Sequence, residues 1–280
     1  MNDIPPLNAA SLLKKYGLHA DKRLGQNYLQ DVSALEKIVD AAEIQKADTV
    51  LEIGPGLGSL TRCLSISAHQ VVAVELDLKL VSVLRTILKP YTNVLLIPGD
   101  ILKLTPKELG LPADYLVAAN IPYNITSAII RHLLESEPKP RRIVLTVQKE
   151  VAERICATPP DMSLLALSVQ VHGTPHIMAQ IPAGAFYPAP KVDSAVVRID
   201  ILPSPTIELH LLDNFFQLIK AGFSQKRKTL RNSLSAGLKI STAEAESLLA
   251  KAEIDSKRRA ETLSLVEWNR LSEQCSLVID

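Results

Sequence analysis

The chain has 280 residues, 47% of them hydrophobic, and its 31 Lys and Arg residues nearly balance 30 Asp and Glu residues. This composition is typical of globular proteins and excludes an intrinsically disordered chain or one with a polybasic tail. The first residues lack the basic and apolar stretches of a signal peptide, and no apolar run approaches the roughly 18 residues of a membrane span, so we expect a cytoplasmic protein that binds no membrane.

From about residue 32 to residue 200, amphipathic stretches alternate with short β-branched or apolar runs. Helices are predicted at 32–43, 77–88 and 126–136. Strands are predicted at 49–53, 70–75, 93–98, 115–119, 142–147, 164–171 and 195–201. Buried runs that alternate with helices indicate βαβ units. We therefore expect an α/β fold of the Rossmann-like type with a mostly parallel, seven-stranded sheet.

After Pro203 and Pro205 the pattern changes to helical periodicity without a clear strand. Helices are predicted there at 209–222, 226–236, 242–252 and 260–273. The pattern therefore divides the chain into an α/β domain at 1–205 and a small all-helical domain at 206–280.

The predicted helical domain has a local excess of positive charge. Between residues 214 and 243 there are six basic residues and no acidic one. A solvated helix face explains such a run, and so does contact with the phosphates of a nucleic acid. Because the net charge of the whole chain is only +1, a site for a polyanion must be local. The candidate RNA-binding residues are Lys226, Arg227, Lys228 and Arg231.

Three cysteines and six histidines lie scattered along the chain. No two cysteines have the Cys-x-x-Cys spacing of a metal or redox motif. His172 and His176 have helical spacing, but Gly173 and Pro175 lie between them and disfavour a helix. We therefore expect free thiols and no metal site.

A glycine-rich loop joins the first predicted sheet strand to a helix. Gly54, Gly56 and Gly58 alternate there, and glycine lets the backbone approach a ligand where a Cβ would collide. Glu75 ends the next strand, 21 residues after Gly54, where an acid can accept hydrogen bonds from the two hydroxyls of an adenosine ribose. These residues are compatible with a site for NAD, for S-adenosylmethionine or for another nucleotide. They are also compatible with a tight turn that binds no ligand.

Two details favour S-adenosylmethionine. Ser59 stands where the dinucleotide fingerprint has its third glycine, and Glu52 precedes the loop. S-adenosylmethionine has no pyrophosphate that needs a helix N-terminus. Asp100 and Asn120 then follow the third and fourth strands, at the sheet edge where ligands of open α/β sheets bind. Asp100 is placed to accept a hydrogen bond from the adenine amino group.

The tetrad Asn120-Ile121-Pro122-Tyr123 resembles the (Asn/Asp)-Pro-Pro-(Tyr/Phe) motif of methyltransferases that act on exocyclic amino groups. An adenine N6 is a poor nucleophile because its lone pair is delocalised into the ring. The Asn120 oxygen and a backbone carbonyl beside Pro122 can accept its hydrogens and favour a more tetrahedral nitrogen. Tyr123 can stack on the base. A strand that ends in a proline turn is the plain alternative.

Three further motifs complete a resemblance to the small-subunit ribosomal RNA adenine N6,N6-dimethyltransferases, over nearly the whole chain. Residues 22–29 are similar to the (K/R)xxGQNFL motif of that family, with Tyr28 where Phe is usual, a change we expect to matter little. Residues 186–194 resemble its FxPxPKVxS motif. Residues 223–232 resemble its FxxRRKxLxNxL element, with Lys226 where Arg is common, which keeps the charge but loses bidentate phosphate binding.

The resemblance implies a set of functional residues. The N-terminal segment 1–31 would pack over the cofactor, and Phe186 would form an aromatic wall opposite Tyr123 around a base that has left its stack. The implied catalytic residues are Asn120, Pro122, Tyr123 and Phe186. The implied contacts to S-adenosylmethionine are Asn27, Leu29, Gly54, Gly56, Glu75, Asp100 and Asn120.

The resemblance also implies a reaction and partners. The reaction is dimethylation of two adjacent adenosines in the 3′-terminal hairpin loop of small-subunit (16S) ribosomal RNA. The implied role is in ribosomal RNA processing and small-subunit biogenesis, with the assembling 30S subunit as partner and a monomeric enzyme.

Three other functions are compatible with parts of this pattern. A macrolide-resistance methyltransferase of large-subunit ribosomal RNA is the nearest alternative. Those relatives are usually more basic and have a shorter helical part, and this neutral chain with its FxPxPKV element fits the small-subunit branch better. A ribosome-assembly or transcription factor on the same scaffold could bind without catalysis, although the intact Gly54, Glu75, Asp100 and tetrad disfavour lost chemistry. Ser59 and the tetrad disfavour an NAD-dependent dehydrogenase.

Overall fold

The computed structural model describes residues 4–276, which form two compact units. The first contains the residues up to 152 together with 175–201. The second contains 153–174 together with the residues from 202 onward. Segment 153–174, which lay inside the α/β domain as we predicted it, therefore groups with the C-terminal helices. Its Met162 and Leu167 share a hydrophobic core with Phe215 and Trp268.

The strands in chain order are β1 (Tyr28–Leu29), β2 (Thr49–Ile53), β3 (Gln70–Glu75), β4 (Val94–Pro98), β5 (Leu116–Asn120), β6 (Arg142–Gln148), β7 (Gly173–Ile181), β8 (Phe186–Tyr187) and β9 (Ser194–Ile201). The large sheet has the order β4-β3-β2-β5-β6-β9-β7. The first five strands in this order, β4, β3, β2, β5 and β6, pair in parallel with their neighbours. Strand β9 pairs antiparallel with β6. The expectation of a mostly parallel, seven-stranded sheet is thus confirmed.

The helices in chain order are α1 (Ala9–Lys15), α2 (Val32–Ala42), α3 (Ser59–Ser67), α4 (Leu78–Ile87), α5 (Thr126–Glu135), α6 (Lys149–Ile155), α7 (Leu164–Gln170), α8 (Leu212–Phe223), α9 (Leu230–Leu238), α10 (Thr242–Lys251) and α11 (Leu265–Ser276). No helix within residues 4–276 is long and apolar enough to cross a membrane.

The central strands β2, β5 and β6 are buried over most of their length because helices cover them. All five residues of β2 are buried. Val50 of β2, Leu116 of β5 and Val144 of β6 pack with Ile38 of α2 and Leu64 of α3 in one core cluster. A parallel strand that is covered on both faces needs apolar residues at successive positions, which is the pattern that made these strands recognisable.

The prediction of a strand at 164–171 is wrong. These residues form α7, in which Ser163 is the N-cap and its hydroxyl accepts a hydrogen bond from the Ala166 amide at 3.0 Å. The strand follows as β7. A short apolar run does not distinguish a buried strand from a buried helix by periodicity, and here the N-cap serine decides for the helix.

The helix predicted at 226–236 begins four residues later than expected. Helix α9 starts at Leu230, and residues 224–229 form a turn between α8 and α9. Lys226, Arg227 and Lys228 therefore lie on an exposed turn and not on a helix face.

Candidate active site

The glycine-rich loop takes a left-handed backbone at the positions where the sequence alternates glycine. Gly54 has a φ of 68° and Gly56 a φ of 60°, and residues that carry a Cβ rarely adopt such angles. A Cβ added to Gly56 would lie only 3.0 Å from Cδ1 of Tyr28. The loop is therefore both bent and closely covered, which only glycine permits at this position.

Glu75 ends β3 beside this loop and is only 6% exposed. Its Oε2 accepts a hydrogen bond from the Gly56 amide at 3.1 Å, and its Oε1 accepts one from the Asp77 amide at 2.8 Å. Burial raises the pKa of this carboxyl, although the two amides oppose the shift. Each oxygen keeps a lone pair for a further donor, so the carboxyl group is held in place and can still bind a ligand.

The segment before α2 lies over the loop. We call residues 21–29 the covering segment. The Asn27 carbonyl accepts a hydrogen bond from Nδ2 of Asn120 at 3.0 Å, and Gly25 lies against Pro122. Strand β1 pairs antiparallel with β8, so that Leu29 is opposite Phe186. Two motifs that are far apart in sequence thus meet beside the tetrad.

Asp100 and Asn120 lie at the carboxyl ends of β4 and β5, as the sheet rule predicts. Oδ1 of Asp100 accepts a hydrogen bond from the Leu102 amide at 3.1 Å and caps a short 3₁₀ turn. Asn120 uses its Nδ2 on the covering segment, and within residues 4–276 its Oδ1 has no protein donor. The Asn120 oxygen is therefore available to accept a hydrogen bond from a ligand.

The two aromatic residues of the predicted site have different positions. Tyr123 follows Pro122, lines the pocket, and its hydroxyl lies 2.6 Å from Oγ of the buried Ser194. Burial raises the pKa of Tyr123. Phe186 is 3% exposed and packs in the core beside Leu29. Phe186 is not among the residues that line this pocket, and its role as a second aromatic wall stays a prediction.

One pocket in the first unit collects every other predicted residue of the active site. Its lining includes the predicted cofactor contacts Asn27, Leu29, Gly54, Gly56, Glu75, Asp100 and Asn120. Pro122 and Tyr123 line the same pocket. The covering segment, the glycine loop and the ends of β3, β4 and β5 therefore form one continuous site.

Glu52 is a residue of this pocket to which the sequence analysis gave no role of its own. It is 1% exposed, lines the pocket, and among the described residues its Oε2 has no hydrogen-bond partner. Burial raises its pKa to about 8, and the nearby charge of Glu75 adds to the shift. The signal in the sequence was a single acid inside an otherwise apolar buried strand.

The proposed RNA-binding residues of the second unit also divide into two groups. Lys226, Arg227 and Lys228 are exposed and form no ion pair within the part of the chain that the structure describes. Arg231 on α9 instead pairs with Glu246 of α10 at 3.2 Å. Arg231 therefore has a partner within the protein, whereas the three residues of the turn are free to contact phosphates.

The profile of the family described as "Ribosomal RNA adenine dimethylase" matches residues 17–271. The chain belongs to this family. It is thus an enzyme, an S-adenosylmethionine-dependent adenine dimethyltransferase of ribosomal RNA. The pocket fits this cofactor. The buried carboxyl groups of Glu52 and Glu75 line it, and the glycines with left-handed backbone let the loop lie close to a ligand. A dehydrogenase is excluded.

Similar proteins agree with the family. The chain is 49% identical over 265 residues to the ribosomal RNA small subunit methyltransferase A of Dehalococcoides mccartyi (strain CBDB1), covering 94% of this chain and 91% of the relative. A crystal structure of a dimethyladenosine transferase from Plasmodium falciparum matches with a TM-score of 0.74 and 28% identity, over 87% of this chain and 95% of that one. The 23S ribosomal RNA methyltransferase ErmE matches with a TM-score of 0.72 and 28% identity, over 89% and 100%.

Proposed function

We propose that this dimethyltransferase acts on N6 of two adjacent adenosines in the 3′-terminal hairpin loop of small-subunit ribosomal RNA. The observation that carries the proposal is the free Oδ1 of Asn120, which lies in the same pocket as Glu75, Asp100 and Tyr123. The 49% identity to a small subunit methyltransferase supports the small-subunit branch over the large-subunit branch.

The cofactor half of the pocket has a proposed role for each polar group. S-adenosylmethionine supplies a methyl group on a positively charged sulfur. Glu75 accepts hydrogen bonds from the ribose hydroxyls, and Asp100 accepts one from the adenine amino group. Gly54 and Gly56 let the backbone approach, and Asn27 and Leu29 cover the ligand from the N-terminal side. Such fixed contacts align the reacting atoms and exclude water.

The substrate half of the pocket prepares the amine. Oδ1 of Asn120 and a backbone carbonyl beside Pro122 accept the two hydrogens of N6, which directs the nitrogen lone pair away from the ring. As the N6–methyl bond forms and the sulfur–methyl bond breaks, N6 becomes a cationic and strongly acidic nitrogen, which loses its proton to water. Asn120 only accepts a hydrogen bond, and no strong base is needed. Tyr123 stacks on the base, and its hydrogen bond to Ser194 fixes the ring. Phe186 supports this site from behind, through Leu29.

The partners follow from the charge distribution. Lys226, Arg227 and Lys228 contact ribosomal RNA phosphates from the exposed turn, and Arg231, which pairs with Glu246, contributes to RNA binding only when it exchanges this partner for a phosphate. We propose the assembling 30S subunit as the physiological substrate, a monomeric enzyme and a cytoplasmic location.

The test is transfer of labelled methyl groups to unmethylated small subunits, large subunits and naked RNA in parallel, with mass spectrometry of the nucleosides. We expect N6,N6-dimethyladenosine in small-subunit RNA. Label in large-subunit RNA alone would favour the resistance branch, and cofactor binding without transfer would favour a non-catalytic assembly factor.

Asn120→Ala tests the proposed chemistry in the same assay. We expect it to lower kcat by about 100-fold or more, as for loss of an electrostatic contact in a transition state. Its affinity for S-adenosylmethionine should fall only modestly. Turnover equal to that of the wild type would contradict the role of Asn120.

A further inference from the structure

Besides the hydrogen bond between Asn120 and the Asn27 carbonyl, the side chain of Gln26 ties the covering segment to the cofactor pocket. Its Oε1 accepts a hydrogen bond from the Asp21 amide at 2.7 Å and one from the Tyr28 hydroxyl at 2.8 Å. Its Nε2 donates to Oδ2 of Asp77 at 3.0 Å. The side-chain oxygen of Gln26 therefore binds within the covering segment, and its side-chain nitrogen binds Asp77 at the start of α4.

Asp77 transmits this contact to Glu75. The Asp77 amide donates to Oε1 of Glu75 at 2.8 Å. Oδ1 of Asp77 accepts from the Lys79 amide at 3.0 Å and caps α4. Asp77 is therefore fixed by α4 and in contact with the carboxyl group that we propose binds ribose, so it anchors the covering segment at a defined distance from that carboxyl.

Tyr28 completes the connection on the other side. Its side chain is 6% exposed and its ring lies over Gly56 of the glycine loop. Burial, with the charges of Glu75 and Asp77, raises the pKa of the phenol, so the hydroxyl stays protonated and donates to Gln26. A phenylalanine here would fill the same space but leave Gln26 without this donor.

We propose that Tyr28 and Gln26 are positioning residues that hold the covering segment closed over bound S-adenosylmethionine. The inference rests on the proposed cofactor site and adds residues that do not touch the reacting atoms. They set how tightly and how long the cofactor is held, and the methyl transfer step itself does not depend on them. Tyr28 in place of the usual Phe is thus a functional difference, contrary to the expectation from the sequence.

The primary test compares Tyr28→Phe with the wild type in the full-length protein. We expect the Kd and KM for S-adenosylmethionine to rise by about two- to ten-fold, the range for loss of one hydrogen bond. The kcat at saturating cofactor should stay within about two-fold. Tyr16→Phe is the matched control, because the hydroxyl of this half-buried tyrosine on the same N-terminal segment has no hydrogen-bond partner within residues 4–276.

Gln26→Leu extends the test to both ends of the connection. It removes the contacts to Tyr28, Asp77 and the Asp21 amide together, so the Kd should rise more than in Tyr28→Phe. The double variant should be no weaker than Gln26→Leu alone, because Tyr28 has then already lost its acceptor. Circular dichroism and thermal unfolding of the free variants check that the fold is kept.

A second measurement reads the covering segment directly. Trypsin cleaves after Lys22 and Arg23, which are both exposed within it. We expect S-adenosylhomocysteine to protect these two bonds in the wild type and in Tyr16→Phe, and to protect them less in Tyr28→Phe and Gln26→Leu at equal ligand occupancy. Mass spectrometry of the fragments identifies the bonds cut.

Glu75→Ala separates failure of this inference from failure of the proposed site. If Glu75→Ala weakens cofactor binding but Tyr28→Phe and Gln26→Leu change neither the Kd nor the cleavage, the positioning role is overturned and the site stands. If Glu75→Ala also leaves the Kd unchanged, the site assignment fails and the positioning role fails with it. A loss of kcat in Tyr28→Phe at unchanged Kd would also overturn the proposal.

Discussion

Glu52 is a buried acid whose ionisation opposes folding. Its pKa rises from the usual 4.5 to about 8 in the folded protein, chiefly because burial disfavours the charged form. Between these two values the unfolded chain has released the proton and the folded chain has not. The contribution of Glu52 to the free energy of unfolding therefore decreases as pH rises from about 4.5 to about 8.

Glu52→Gln should remove this pH dependence. We expect the variant to gain stability relative to the wild type as pH rises through that window, by up to several kcal/mol at about 1.4 kcal/mol per pKa unit. Urea unfolding of the free proteins from pH 4.5 to pH 8 measures it. Glu150→Gln, which changes an exposed acid, should follow the wild type. Parallel pH profiles for Glu52→Gln and wild type would contradict the prediction.

The positions of individual site residues were predictable to different degrees. Gly54, Glu75, Asp100 and Asn120 lie at or just after the carboxyl ends of four strands. Parallel strands bring these ends to one edge of the sheet, so the spacing along the chain was enough to predict that the four residues lie together. Asn27 and Leu29 precede the sheet, and only the family resemblance indicated their place. The burial of Phe186 depends on the pairing of β1 with β8, which no local pattern encodes.

Strands β6 and β9 are joined by a group of charged side chains at their paired ends. Asp200 lies opposite Arg142 and accepts hydrogen bonds from Arg142 Nε at 2.6 Å and Arg198 Nε at 2.8 Å. Burial alone would raise the pKa of Asp200, but the two arginines lower it below its usual 3.8. This stabilising contribution is present above pH 3.8 and is lost as pH falls through the lowered value.

Asp200→Ala should lower the free energy of unfolding by about 1–3 kcal/mol, because it leaves two largely buried guanidinium groups without this acceptor. Chemical denaturation at pH 7 measures it. Glu135→Ala is the control: it breaks an exposed pair with Arg131 one helical turn away and should cost about 0.5 kcal/mol or less. Equal losses in the two variants would refute the argument.

Helix α8 depends on a glycine where it meets α11. A Cβ added to Gly222 would lie 2.4 Å from Cη2 of the buried Trp268 and 3.2 Å from Cδ1 of Leu230. Gly222→Ala should therefore cost about 1–3 kcal/mol through overpacking, although alanine favours a helix over glycine by about 0.5–1 kcal/mol. Gly184→Ala, with open space around the new Cβ, should be nearly neutral. Thermal unfolding compares the two variants, and a stabilised Gly222→Ala would sink the prediction.

Element prediction succeeded where one period of hydrophobicity dominated. Strands β2 and β3 have the predicted bounds because their apolar runs end at glycine or charged residues. Helix α7 was missed because its residues pack into the core of the second unit. A segment buried in this way is apolar at most positions, whether its backbone is a helix or a strand. The late start of α9 was also missed, since lysine and arginine are good helix formers and local propensity favoured a helix across the turn.

At the scale of the whole molecule, the net charge of +1 gives little attraction to RNA, so binding depends on a local group of cations. Charge reversal of Lys226, Arg227 and Lys228 to Glu should weaken RNA binding. It should also reduce the slope of log K against log salt by about one unit per lost phosphate contact. Filter binding or fluorescence anisotropy across a salt series measures the slope.

The control for this series changes the same net charge elsewhere. Lys37→Glu, Lys89→Glu and Lys107→Glu alter three exposed lysines of the first unit. If this triple variant reduced the slope as much as the turn variant, binding would depend on total charge and the exposed turn would have no special role.

The second unit is assembled from two separate stretches of chain, with β7 and β9 of the sheet between them. During synthesis, Met162 and Leu167 leave the ribosome long before Phe215 and Trp268, the residues with which they form a core. A single cut therefore cannot yield an intact catalytic fragment. Truncation after residue 201 would remove the basic turn but also strip the apolar side chains of 153–174 of their partners. Loss of activity in such a fragment would report aggregation, and only point substitutions on the turn can isolate RNA recognition from folding.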